Sequence, residues 1–187
     1  MKRAVIIHGW RGYPKEGWFP WLKLRLEELG FDISVPAMPK AMKVREWVAA
    51  ISKAAAKPDD DTYFIGHSLG CISILRYLET LPAGSKAGGC VFVAGFSNNT
   101  NVPEISEFYS LPLGIKKARL HAGNVTVILS DNDDVVPLAA GKAFAIKLGA
   151  KVVIVEKGMG HFAGSDGITE LPSALEAVIS RSPNIRD

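Results

Sequence analysis

Gly66-His67-Ser68-Leu69-Gly70 follows the apolar run Thr62-Tyr63-Phe64-Ile65 and precedes Cys71-Ile72-Ser73-Ile74-Leu75, which reads as the start of a helix. A serine between glycines at such a junction occupies a sharp strand-to-helix turn, with its hydroxyl presented at the top of a parallel sheet. The glycines matter because backbone passes close to backbone there, and a Cβ at either position would collide with its neighbours. The opening helix adds free N–H groups beside the hydroxyl, where negative charge developing on a substrate oxygen is stabilised. The chemistry open to this serine is acyl transfer through a covalent intermediate. It requires a base, a group that orients the base, and donors for the oxyanion.

The chain has four histidines, so the search for the base is short. His67 adjoins Ser68, and neighbouring side chains on a turn diverge, which keeps it from the hydroxyl. His121 belongs to the basic stretch Lys116, Lys117, Arg119, read as a solvated helix face, and is expected to be exposed. His8 ends the first apolar run and reads as a hydrogen-bonded packing residue. His161 stands in Gly158-Met159-Gly160-His161-Phe162, a glycine loop after the last apolar run. Strands of a parallel sheet end on one edge, so this loop and the serine turn meet there, and His161 is the candidate base. The acid is expected after a strand lying between Ser68 and His161. Ser130-Asp131-Asn132-Asp133-Asp134 offers three carboxylates at that place. A turn and an N-cap before a helix starting near Pro137 account for some of them. For the oxyanion, the N–H of Leu69 and one from the loop His8-Gly9-Trp10-Arg11-Gly12 are the candidates, with Trp10 the second donor.

These groups need a scaffold whose strands end together. Short β-branched runs at 4–7, 31–35, 62–65, 90–94, 125–129 and 152–155 alternate with helical stripes, the pattern of an α/β protein with a mainly parallel sheet. Leu22, Leu26 and Leu29 form one stripe, with Gly30 as its stop, and Val44, Trp47, Val48, Ile51 and Ala55 another. Ala140, Phe144 and Leu148 recur at fours, and Leu171, Leu175, Val178 and Ile179 form the last face. Near-continuous apolar strands imply a sheet covered on both faces. Residues 96–116 carry the least pattern and read as an extended loop or a small helical insertion. Residues 182–187 read as a frayed tail. With no linker or repeat, residues 1–187 are expected to form one domain.

The order Ser…Asp…His, the His8-Gly9 turn and the serine turn resemble the α/β-hydrolase superfamily. More narrowly, Ile6-Ile7-His8-Gly9-Trp10 through Trp18-Phe19-Pro20-Trp21-Leu22 is similar to the small serine hydrolases of the YdeN and retinoblastoma-binding-protein type. Met38-Pro39, Gly66–Gly70, Asp133-Asp134-Val135-Val136-Pro137 and Gly160-His161-Phe162 extend that resemblance over nearly the whole chain. It implies a three-layer α/β/α, minimal α/β-hydrolase fold with a six-stranded sheet of order 2-1-3-4-5-6 and little or no cap. It also implies that the acid is the aspartate four residues before the proline, Asp133. The catalytic set would then be Ser68, Asp133 and His161, with Trp10 and Leu69 holding the oxyanion. The L-x-C-x-E motif of mammalian relatives has no counterpart here, since Leu69-Gly70-Cys71-Ile72-Ser73 shares only its first half. No partner protein is therefore carried over.

Composition narrows the classes further. A net charge of +3, 48% hydrophobic and 22% charged residues are ordinary for a globular protein, and no basic stripe interleaved with aromatics points to nucleic acid. The apolar run after Met1-Lys2-Arg3 ends at His8, too short for a secretory signal, and no segment approaches a membrane span. Cys71 and Cys90 read as buried small hydrophobes in a reducing compartment, so a cytoplasmic protein is expected. Glycine-rich nucleotide loops, zinc spacings and a calcium loop are missing, so neither cofactor nor metal is expected. Trp18 and Trp21 either line a substrate cleft or pack within the first helix. Met38 and Met42 read as loop packing, and Phe162 as a wedge under its loop. The expected activity is hydrolysis of a carboxylic ester or related acyl bond in a small molecule. An acyltransferase using the same acyl-enzyme, or a binding module on the same fold, are the alternatives.

Overall fold

A computed structural model describes residues 1–97 and 102–180. The 182–187 tail and part of the 96–116 segment lie outside the described residues. Six strands, β1 (Arg3–Ile7), β2 (Asp32–Ser34), β3 (Thr62–His67), β4 (Gly89–Val93), β5 (Asn124–Ser130) and β6 (Val152–Glu156), form one sheet of order β2-β1-β3-β4-β5-β6. Every pairing is parallel. The helices are α1 (Phe19–Glu28), α2 (Val44–Ala55), α3 (Leu69–Leu78), α4 (Glu107–Ser110), α5 (Ile115–His121), α6 (Leu138–Leu148) and α7 (Pro172–Ile179).

Side chains alternate across each strand, and two apolar cores follow. Val5, Ile7, Phe64, Phe92, Val127 and Leu129 point to the side of α2, α3, α5 and α6. Ala4, Ile6, Ile65, Val91, Val93 and Ile128 point to the side of α1 and α7. The protein is thus a three-layer α/β/α sandwich. β6 departs from the expectation of a sheet covered on both faces. α6 packs on β5, and on that same face of the edge strand β6 Val153 and Val155 remain 45% and 42% exposed. In α1 the stripe ends one residue early: Leu22 and Leu26 are buried, whereas Leu29 lies at the C-cap and is 41% exposed.

The poorly patterned segment is a small helical insertion over its described part. A 3-10 turn at Pro103–Ile105 leads into α4, and Ile105 and Phe108 are buried against the α2–α3 side. Phe108 meets Trp47 edge-on with ring centroids 5.4 Å apart. Glu107 accepts the Val44 N–H at the start of α2 (3.0 Å) and pairs with Lys43 (3.0 Å). Beneath it, the buried Arg76 guanidinium donates to the carbonyls of Phe108 (2.9 Å), Leu111 (2.5 Å) and Pro112 (3.0 Å) and to Glu79 (3.1 Å). An irregular backbone segment thereby has its buried acceptors satisfied by one side chain.

His121 corrects the sequence reading. Ala118 and His121 are three residues apart on α5, so they share the face that packs on α3, and both are buried. Its Nδ1 donates to the Ser85 carbonyl. Lys116, Lys117 and Arg119 do face solvent, so the basic run is amphipathic rather than uniformly solvated. No helix among the described residues is long and apolar enough to cross a membrane.

Candidate active site

β3 ends at His67 and α3 begins at Leu69, which leaves Ser68 as the sole residue of the turn. Its backbone takes φ 53° and ψ −118°, a conformation that costs about 1–3 kcal/mol outside glycine and persists only where the surroundings enforce it. Two close approaches do so. A Cβ at Gly70 would lie 2.2 Å from the Ile7 carbonyl oxygen, and one at Gly66 would lie 2.9 Å from the Cys71 backbone. The Ser68 N–H donates to Val93 O (2.9 Å), tying the turn to the end of β4. The Ser68 hydroxyl makes no capping bond to α3 and stays available.

His161 Nε2 lies 2.9 Å from Ser68 Oγ, and His161 Nδ1 lies 3.1 and 3.0 Å from the two Asp133 carboxylate oxygens. Asp133 is buried and its Oδ1 also accepts the N–H groups of Val135 (2.9 Å) and Val136 (2.7 Å). Those bonds fix the carboxylate from behind. Asp131 and Asp134 point elsewhere: Asp131 Oδ1 accepts the Gly158 N–H (2.8 Å), and Asp134 is exposed. No aspartate caps α6, whose N-cap is Pro137 with no side-chain bond. Asp131 and Asp133 therefore serve the histidine loop rather than capping the next helix.

The loop carrying His161 is held by side chains that the sequence reading did not connect to it. Ser130 Oγ accepts the Met159 N–H (3.1 Å) and Asn132 Oδ1 the Gly160 N–H (2.8 Å). Asp166 Oδ2 accepts from His161 N (2.9 Å) and Ala163 N (3.0 Å). Trp18 Nε1 donates to Phe162 O (3.0 Å) and His67 Nε2 to His161 O (2.7 Å). Phe162 is buried with φ 57°, wedged into the α1–α7 side as expected. Trp18 is fully buried there, so it packs and clamps instead of facing a cleft. The adjacent pair Asn132-Asp133 on the turn after β5, with one amide and one carboxylate side by side, was the available signal for this dual use.

On the other side of the serine lies the loop after β1. A Cβ at Gly9 would sit 3.1 Å from Ser68 Cβ, which places the Gly9 backbone against Ser68. Leu69, as the first residue of α3, has no acceptor within its helix for its N–H. His8 supports this loop. Its Nδ1 donates to Gly9 O (2.8 Å), its Nε2 accepts the Met38 N–H (3.1 Å), and burial lowers its pKa so that the ring is neutral. Beyond Trp10 an open cleft of about 460 Å³ is lined by Met38, Met42, Trp47, Arg11, Lys40 and Glu104, among others. Arg11 lies over the Trp10 ring at 4.3 Å. Met38 and Met42 are wall residues here as well as loop packing. Both cysteines are buried, with their thiol pKa values pushed up by desolvation, which leaves them unreactive. No group of metal-ligating side chains large enough to hold an ion occurs among the described residues.

A family model described as serine hydrolase matches residues 4–180. YdeN of Bacillus subtilis (strain 168) is 34% identical over 182 residues, 96% of this chain and 95% of that protein. The serine hydrolase RBBP9 of Rattus norvegicus is 26% identical over 171 residues, 88% of this chain and 89% of that one. The crystal structure of the B. subtilis ydeN product superposes with a TM-score of 0.91 at 32% identity, covering 97% of this chain and 98% of that one. Est1E of Butyrivibrio proteoclasticus, solved with ferulic acid bound, shares the fold at a TM-score of 0.73 and 17% identity, over 96% of this chain and 87% of that one.

Proposed function

This chain belongs to the serine hydrolase family, and on that premise we propose that it cleaves a carboxylic ester or related acyl bond of a small molecule through Ser68, His161 and Asp133. The observation that carries the reading is the continuous path from Ser68 Oγ to His161 Nε2 (2.9 Å) and from His161 Nδ1 to Asp133 (3.0 Å). Asp133 accepts the Nδ1–H, which leaves the Nε2 lone pair directed at the hydroxyl. That tautomer is the one a general base needs.

Ser68 Oγ attacks the acyl carbon while its proton passes to His161 Nε2. The carbonyl π bond becomes an alkoxide held by the N–H groups of Leu69 and Trp10. As the oxyanion collapses, the bond to the leaving oxygen breaks and that oxygen takes the proton from Nε2. A water then repeats the sequence on the acyl-enzyme, with His161 again as base, and returns Ser68 to its free form. The cleft beyond Trp10 receives the substrate. It is open, so it supports short acyl groups rather than long chains threaded into a tunnel.

A fluorophosphonate probe tests the reading. The expected result is a single adduct on Ser68 that is lost in Ser68→Ala. No adduct on the wild type at any pH would overturn it in favour of a binding module.

A further inference from the structure

We propose that His67, the residue preceding the serine, is a positioning residue for the reaction, holding the His161 backbone through a bond from its Nε2 to the His161 carbonyl. The inference rests on the hydrolase reading above and deepens it.

Alternation along β3 turns Gly66 toward α3, where Cys71 and Ile74 crowd it, and turns His67 to the opposite face. There His67 is buried, with Trp18 and Phe19 against its ring edges at 6.2 and 6.1 Å. Such a site would accommodate phenylalanine, so packing alone gives no reason for an imidazole. The reason is the donor. A carbonyl only accepts, so the 2.7 Å contact requires a hydrogen on His67 Nε2. On the other side of the same residue, Asp166 accepts the His161 N–H. Residue 161 is thus held at its nitrogen and at its carbonyl, while Trp18 holds the next carbonyl. With the backbone fixed at these points, the side chain has only its own torsions left to place Nε2 on Ser68.

Charge explains why the donor is a histidine rather than a lysine or arginine. The His67 and His161 rings lie 5.0 Å apart, and a cation at position 67 would oppose the imidazolium that forms on His161 during reaction. The charged groups facing His67 are His161, Asp133 and Asp166. Burial and the His161 ring together outweigh the bond to the His161 carbonyl and the two carboxylates and push the His67 pKa down to about 4, so the donor stays neutral at neutral pH.

The test compares wild type, His67→Phe and His67→Gln in the full chain with p-nitrophenyl acetate and a fluorophosphonate. Phenylalanine keeps the ring and removes the donor; glutamine places an amide N–H near the Nε2 position. The expected result for His67→Phe is a kcat lower by about 10- to 100-fold with KM little changed, since a sub-ångström displacement of the base affects the chemical step and not binding. His67→Gln should recover most of that loss. A labelled wild type whose His67→Phe variant keeps its kcat, or a folded His67→Gln as impaired as His67→Phe, overturns the positioning role alone. A wild type that takes no label at Ser68 overturns the hydrolase reading, and the catalytic role with it. Should the phenylalanine variant not fold, the wild-type protein still decides. Its His67 Nε2–H must appear as a slowly exchanging 15N-coupled proton close to His161 at pH 6–8, and its absence refutes the bond.

Discussion

The two sides of Ser68 are built differently. Toward β5 and β6, the His161 loop is fixed by directional polar bonds from Ser130, Asn132, Asp131, Asp166, Trp18 and His67. Toward β2, the cleft beyond Trp10 is walled by Met38, Met42 and Trp47, with Phe108 of the insertion packed behind Trp47. Hydrogen bonds fix position to a fraction of an ångström and lose strength steeply with angle, whereas methionine and tryptophan contacts adjust to what they meet. One side specifies a chemical geometry, and the other tolerates a range of shapes.

Four measurements can break or sharpen that contrast. The largest effect is expected on the polar side. Asp133→Asn should lower kcat by about 10⁴-fold, because an amide no longer enforces the imidazole tautomer, while Asp131→Asn and Asp134→Asn stay within about tenfold. Equal losses at all three would mean that the carboxylates act as a diffuse field and not as one oriented acceptor.

Next comes the pin beneath the insertion that backs the cleft. Arg76→Met strands three carbonyls and Glu79, and should destabilise the fold by about 3–5 kcal/mol in urea melts. If the urea midpoint barely moves, the insertion is held by its apolar contacts instead.

The third measurement concerns pH. His67 has a folded pKa of about 4, below the value of about 6.5 for a free histidine, so the unfolded chain binds more protons between these limits. Stability therefore falls as pH drops through that window, by up to roughly 3 kcal/mol from this residue, with His8 acting in the same direction. Urea midpoints at pH 7 and pH 4.5 should differ in wild type, and the difference should shrink in His67→Gln. An unchanged difference would place the acid sensitivity elsewhere.

The smallest effect tests the cleft itself. On p-nitrophenyl esters kcat/KM should peak between acetate and butyrate, since an open wall returns less than the roughly 0.8 kcal/mol that each fully buried methylene provides. An optimum at eight carbons or more would reveal an enclosed pocket.

Much of the scaffold was legible because strand runs and helical stripes each carry one period. The apolar runs predict all six strands to within a residue or two at each end, and the glycine–serine turn stands out by composition. The partners of His161 were less visible. His67 and Asn132 act on backbone groups far from them in sequence, and no spacing rule reports a bond that spans 94 residues, as that between His67 and His161 does. His121 misled for a related reason: its neighbours on the chain are cationic, but in space it is buried and bonded to Ser85 and Ala87, some 35 residues upstream. Trp18 was open between cleft and core because an indole suits both, and its burial and its reach to Phe162 O decide.

The order of the strands also sets a timetable for synthesis. β1, β3 and β4 frame the Ser68 turn, so all the strands that flank it have been synthesised once Ala94 has emerged. The proposed base, the loop that carries it and the last of its clamps, Asp166, arrive only with residues 158–166. At 5–20 residues per second, the intervening seventy or so residues take about 4–14 s. During that interval a ribosome-bound chain carries the serine without its proposed base, and no fluorophosphonate labelling is expected. Reactivity is then expected to switch on with the loop that follows the last strand, which makes labelling of arrested chains of graded length a clock for when that loop docks.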